Sequence, residues 1–188
     1  MTAITLVKSK LEVIPAPVKK FLVKSAILYL TWNLLYSYYL GPNHIIDPVL
    51  TNSLGSLTSW LVQFIVPHHL VSLSTAVGTP QISIDGLSNL SILDGCNGLE
   101  LFVFYIGFIF CFPGSIKMAT KYIVCGSISI YILNVIRCVI LSYLSFIRSS
   151  SIDTMHHYVF TIIVYGFIVF LWLQYLKTSL KTTETDMA

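Results

Sequence analysis

Charge is scarce in this chain. Only 11 of its 188 residues are lysine or arginine and 8 are aspartate or glutamate, well under half the charged share of an ordinary soluble domain. Too few charges remain to coat a water-facing surface. The stretch from Gly41 to Cys96 holds no lysine or arginine at all. The basic residues elsewhere sit beside apolar runs and form no stripe with interleaved aromatics, so no nucleic-acid partner is expected. The four cysteines, Cys96, Cys111, Cys125 and Cys138, show no CxxC spacing and no neighbouring histidine cluster. They indicate neither a zinc site nor a disulfide framework, and no metal or cofactor is expected. Internal repeats are absent, and the polar tail Thr182 to Ala188 is the one biased segment.

What the chain has instead is apolar runs. A bilayer core of roughly 30 Å needs about 20 helical residues. Four segments approach that length: 21–40, ended by Gly41-Pro42; 98–112, stopped by Pro113-Gly114; 121–147; and 156–176, preceded by the cap candidates Asp153 and Thr154. No small-residue cleavage site follows the first run, which continues through Tyr36, Tyr38 and Tyr39, so it is expected to stay as a span. The expected fold is an all-α integral membrane domain of about four transmembrane helices.

Lysine and arginine mark cytoplasmic loops. Lys8, Lys10, Lys19, Lys20, Lys117, Lys121, Lys177 and Lys181 fall on one side of the four spans, and Arg148 alone falls on the other. Both the 1–20 segment and the 177–188 tail are therefore expected in the cytoplasm, with the 41–97 loop outside. Within that loop Leu54, Leu57, Trp60, Leu61, Phe64 and Ile65 recur at helical spacing. A fifth span there would invert everything after it, so an amphipathic helix over 54–66, anchored in the outer interface by Trp60, is the preferred reading. Alternating residues around Asp85-Gly86 and Ser88-Asn89 predict a β-hairpin over 81–93.

Ionisable groups in or beside membrane spans are costly and mark sites or pairs. Cys96 stands between glycines where a helix opens, a setting that favours a thiolate. Arg137 lies about ten residues before the outward end of the third span, roughly 15 Å down. Its bland reading is an ion pair with Glu100; Asn134, three residues earlier on the same face, is placed to hold the guanidinium. His156 and His157 open the fourth span, where an imidazole can act as base and then acid. Singly each has an ordinary explanation. Topology derived from lysines alone brings a thiol, an imidazole and a guanidinium to one side, which is the equipment for acyl transfer by a cysteine nucleophile.

Three short elements, Asp94-Gly-Cys96-Asn97-Gly98-Leu, Asn134-Val-Ile-Arg137 and His156-His157, in this order and spacing resemble the exosortase and archaeosortase family of membrane-embedded cysteine transpeptidases. The Met155-His-His-Tyr-Val-Phe run is similar to its small exosortase branch, and the resemblance covers roughly 78–176. It implies a protease-transpeptidase in the bacterial cytoplasmic (inner) membrane, with its active site facing outward. Its partners would be exported proteins ending in a short motif, a hydrophobic helix and a basic tail, cleaved through a thioester and passed to an acceptor. By carry-over Cys96 is the nucleophile, Arg137 the oxyanion stabiliser and one histidine the acid/base, with His157 favoured by its spacing to Phe160; Asn97, Glu100 and Asn134 support. Asn97 stands where the family often has serine. A small transporter or channel subunit using Glu100, Arg137 and the histidines, and a non-catalytic partner of an export or polysaccharide system, are the competing classes.

Overall fold

The computed structural model describes the backbone of residues 16–75, 79–112 and 114–186. The expected cytoplasmic segment therefore lies outside the described residues up to position 15, as does Pro113. The chain is mostly helical with one small antiparallel sheet.

Helix α1 (Ala16–Leu35) begins with Pro17, whose missing N–H costs nothing in a first turn, and runs into a π-helical turn, Tyr36–Leu40. Helix α2 (Asp47–Ile65) follows, longer than the expected 54–66 by most of two turns. The extra turns start at Asp47-Pro48, an acid and a proline at positions that favour helix initiation. Three strands come next, β1 (Val71–Ser74), β2 (Gln81–Ile84) and β3 (Leu87–Ser91), paired in that order. The hairpin turn is Asp85-Gly86, both at positive φ (53° and 77°), while Ser88 and Asn89 belong to β3 and not to a turn. The expected hairpin thus gains a third strand, because β1 brings Val71 against Ile84 and Leu73 against Ile82.

Helix α3 (Leu99–Cys111) is short, about 20 Å at ~1.5 Å per residue. Helix α4 (Ile116–Phe146) starts five residues before the expected 121, because Ser115 caps it by accepting from the Met118 N–H. A one-turn helix α5 (Ile152–Thr154), a second π turn (Met155–Val159) and helix α6 (Phe160–Asp186) complete the chain. Most of the expected polar tail is thus a continuation of α6.

Helix α4 is the spine, and two separate cores form along it. Its first half packs with α3 and α6 around Tyr105, Ile109, Ala119, Ile130 and Tyr175. Its second half packs with α2 and the sheet around Leu54, Val62, Ile82, Ile84, Ile92, Val135 and Val139. Helix α2 presents Asp47, Thr51, Leu54, Gly55, Thr58 and Val62 inward and leaves Leu57, Trp60, Phe64 and Ile65 exposed.

Two helices, α4 and the Phe160–Ser179 part of α6, are long and apolar enough to cross a membrane. Only 33% and 17% of their most apolar windows are buried, whereas the core helix of a soluble protein is mostly buried. Large apolar side chains such as Ile27, Leu30, Ile128, Ile162 and Phe170 are about half exposed or more along the bundle, the kind of surface that marks contact with a membrane or another protein.

Candidate active site

Between the two cores the chain makes a short turn, Asp94–Cys96, closed by Cys96 N–H to Leu93 O (2.8 Å) and Asn97 N–H to Asp94 O (3.3 Å). Gly98 follows at φ 84°, and a Cβ there would stand 2.9 Å from Asn134 Nδ2. Only glycine suits that backbone and that approach. Helix α3 opens at Leu99, whose N–H donates to Asn97 Oδ1 (2.8 Å). Cys96 is therefore set three residues back from α3, and a donor of that helix's first turn is already taken by Asn97.

Asn134, buried on α4, donates to the Cys96 carbonyl (3.3 Å). The expected service of Asn134 to the guanidinium is thus replaced by a bond that ties the turn to α4. One turn along α4 comes Arg137, whose Nη2 donates to His156 Nε2 at 3.0 Å. An arginine can only donate, so this bond requires the neutral imidazole with its proton on Nδ1. Arg137 Nε is buried without a hydrogen-bond partner among the described atoms. The ion pair with Glu100, the bland reading of Arg137, does not form; Glu100 is exposed. Counted from Ile116, Arg137 is about 31 Å along α4 at ~1.5 Å per residue. It lies nine residues before the helix end, close to the expected ten, and α2 and the sheet pack on one face of α4 beyond it, so that Arg137 sits at the junction of the two cores.

His156 reaches Arg137 from the π turn Met155–Val159. The extra residue per turn shifts the phase of the helix, so spacing to Phe160 is a poor guide to which histidine faces α4. The side chain of His157 lies outside the described atoms; its backbone is in the same π turn.

A cleft of about 260 Å³ lies beside these parts, lined by Tyr36, Asp94, Gly95, Asn97, Gly98, Glu100, Arg137, Phe160, Thr161 and neighbours; Cys96 and His156 are not among its lining residues. Its wall includes the residues on both sides of Cys96, whose own side chain is half-buried. Leu101 and Tyr165 also line a second, almost wholly apolar slot of about 430 Å³ between α1, α3 and α6. Phe21 stacked on Trp172 (5.3 Å between ring centroids) stands in the slot's wall.

The residues that sequence reasoning missed come from the loop before the resemblance begins. Asp47 is 1% exposed; its carboxylate accepts from Asn97 Nδ2 (2.7 Å) and from the Tyr36 hydroxyl (3.2 Å). Asn97 donates also to Thr51 Oγ1 (3.1 Å), and Thr51 donates to Asp94 Oδ1 (3.2 Å). His44 lies 3.5 Å from Asp94. One signal was present: carboxylates in a stretch without any lysine or arginine must find histidines or neutral donors as partners. Among the described residues no three histidine, cysteine, aspartate or glutamate side chains gather as metal ligands.

No protein-family model, curated protein or solved structure matches this chain. Fold and site define a helical protein with two helices fit to cross a membrane and a cleft of mixed polar and apolar lining at the junction of its two cores.

Proposed function

We propose that this protein is an exosortase-like cysteine protease-transpeptidase of the bacterial inner membrane, acting at the outward face on the C-terminal sorting signals of exported proteins. The observation that carries the reading is the Arg137 to His156 contact one helical turn from Asn134, which holds the backbone of Cys96. In this reading α1, α3, α4 and α6 all traverse the bilayer, the short α3 completed by its flanking turns. Lys19, Lys20, Lys117 and Lys177 then lie at the cytoplasmic end, and the cap of α2 and sheet lies outside.

The chemistry follows from the donors available. The Cys96 thiol gives its proton to the histidine as sulfur attacks the scissile carbonyl, and the new oxyanion takes hydrogen bonds from Arg137. Because Arg137 occupies the His156 lone pair in the resting protein, an oxyanion that draws the guanidinium toward itself frees His156 to hold that proton. The imidazolium then protonates the departing amine, leaving a thioester on Cys96. Water or an acceptor nucleophile, deprotonated by the same histidine, cleaves the thioester and restores the thiol. The apolar slot adjoining the cleft suits a substrate whose reacting segment leads into a hydrophobic one.

The test is co-expression with an exported protein ending in a short motif, an apolar helix and a basic tail. Processing should be lost in Cys96→Ala, Arg137→Ala and His156→Ala while each variant still accumulates in the membrane. Processing at the wild-type rate by Cys96→Ala would end this reading.

A further inference from the structure

The segment that precedes the resemblance contributes to the site through one buried acid. Asp47 is shut away from water, and among the described residues no lysine, arginine or histidine forms an ion pair with it. An unpaired buried carboxylate is costly unless hydrogen bonds satisfy it. Here both oxygens are used, one by Asn97 and one by Tyr36. Bonds to an ionised acceptor are roughly twice as strong as neutral ones. Their partners are also telling: Asn97 directly follows Cys96 in the chain, and Tyr36 walls the cleft into which Arg137 faces. Thr51, one turn further along α2, closes a ring by accepting from Asn97 and donating to Asp94. Asp94 and Asn97 bracket Cys96, so α2 holds the nucleophile turn at both ends.

We propose that Asp47 is a positioning residue for Cys96, fixing the Asn97 side chain and through it the presentation of the thiol, so that the site is complete only when α2 is docked. The proposal rests on reading Cys96 as the nucleophile. An apolar contact would join α2 to the turn equally well; a fully satisfied polar ring adds a single defined geometry. Misplacement of a reacting group by about 1 Å costs on the order of 100-fold in rate.

The exchange of the two side chains provides the test. In Asp47→Asn the amide oxygen still accepts from Asn97 but the charge is lost, whereas in Asn97→Asp two carboxylates meet. In the double variant the amide lies on α2 and the carboxylate on the turn, where the carboxylate can accept from the Leu99 N–H and from the new amide while Thr51 keeps its bond to Asp94. In full-length protein in native membranes, Asn97→Asp should lower kcat for substrate processing on the order of 10- to 100-fold with KM little changed, and Asp47→Asn should lower it less, about several-fold. Each should also change the rate at which iodoacetamide alkylates Cys96, read by mass spectrometry of the Cys96 peptide. The double variant should recover both readouts to within a few-fold of wild type. Single variants with wild-type processing and alkylation, or a double variant no better than the product of the singles, would overturn the proposal. Should the exchange fail to accumulate, Tyr36→Phe decides, since it deletes one hydroxyl from Asp47's partners: unchanged alkylation and processing overturn the proposal, and a several-fold change in both supports it. Alkylation of Cys96 needs no substrate, so a wrong assignment of the reaction is told apart from a wrong assignment of Asp47.

Discussion

The two halves of α4 pack by different means. Toward Ile116 the contacts are rings and small residues: Tyr105 lies against Gly126 and donates to the Tyr122 carbonyl (2.8 Å), Tyr122 meets Tyr175 edge-on, and Phe21, Phe112 and Trp172 cluster nearby. Toward Phe146 the core is aliphatic, from α2, β2, β3 and α4, and beside it runs the polar ring of Asp47, Thr51, Asp94 and Asn97. On the proposed reading the bundle end lies in lipid, where apolar burial drives little helix association and close approach and dispersion do the packing. On the same reading the cap faces water, where aliphatic burial stabilises at about 25 cal/mol per Å². The lesson is a division of labour on one helix: the bundle end fixes where α4 stands, and the cap end fixes what its polar residues touch.

That division predicts that cap variants act on chemistry and bundle variants on stability. The largest effect is expected from Arg137→Ala, which removes the sole guanidinium at the junction; processing should fall on the order of 10²- to 10³-fold, with membrane accumulation unchanged. Arg137→Lys should restore only part, since an ammonium lacks the fork that can hold an oxyanion and an imidazole together. A bundle variant should behave in the opposite sense. Gly126→Ala drives a methyl group into the Tyr105 ring, a cost of about 1–3 kcal/mol, which a thermal melt in detergent would read as a lowered midpoint. The surviving folded fraction should process substrate normally; a stable but inactive Gly126→Ala would break the comparison.

The smallest effect belongs to the hairpin. Asp85 is held below the usual carboxylate range by its hydrogen bond with His69 and by the Leu70 N–H. A depressed carboxylate contributes stability above its unfolded pKa and loses it as pH falls through the folded value. Hydrogen exchange of β2 and β3 should therefore be unaffected at neutral pH and accelerate only below about pH 4. Asp85→Asn should abolish that acid dependence, and exchange that instead rises near neutral pH would assign the hairpin's stability to another group.

Much of the frame was legible in the chain. Apolar runs ended by Gly41-Pro42 and Pro113-Gly114, the Asp85-Gly86 turn and the helical stripe around Trp60 are local signals, and each became an element close to where it was expected. The candidate site was legible only as a set of residue types. Which histidine meets Arg137 depends on a π turn, and a single extra residue in a helical turn leaves no periodic trace. That one face of the last turns of α4 would be covered by α2, a helix some 80 positions earlier, is announced by nothing in α4 itself.

By itself, then, the sequence determined the apolar helices, their lysine-marked ends and the presence of a thiol, a guanidinium and paired imidazoles, because composition and period act over a few residues. Tertiary structure alone decided that Asp47 meets Asn97 across 50 positions, that Asn134 serves Cys96 and not Arg137, and that Arg137 sits where two cores join. Such pairings are set by how helices of different lengths pack along one spine, and that depends on the whole chain at once.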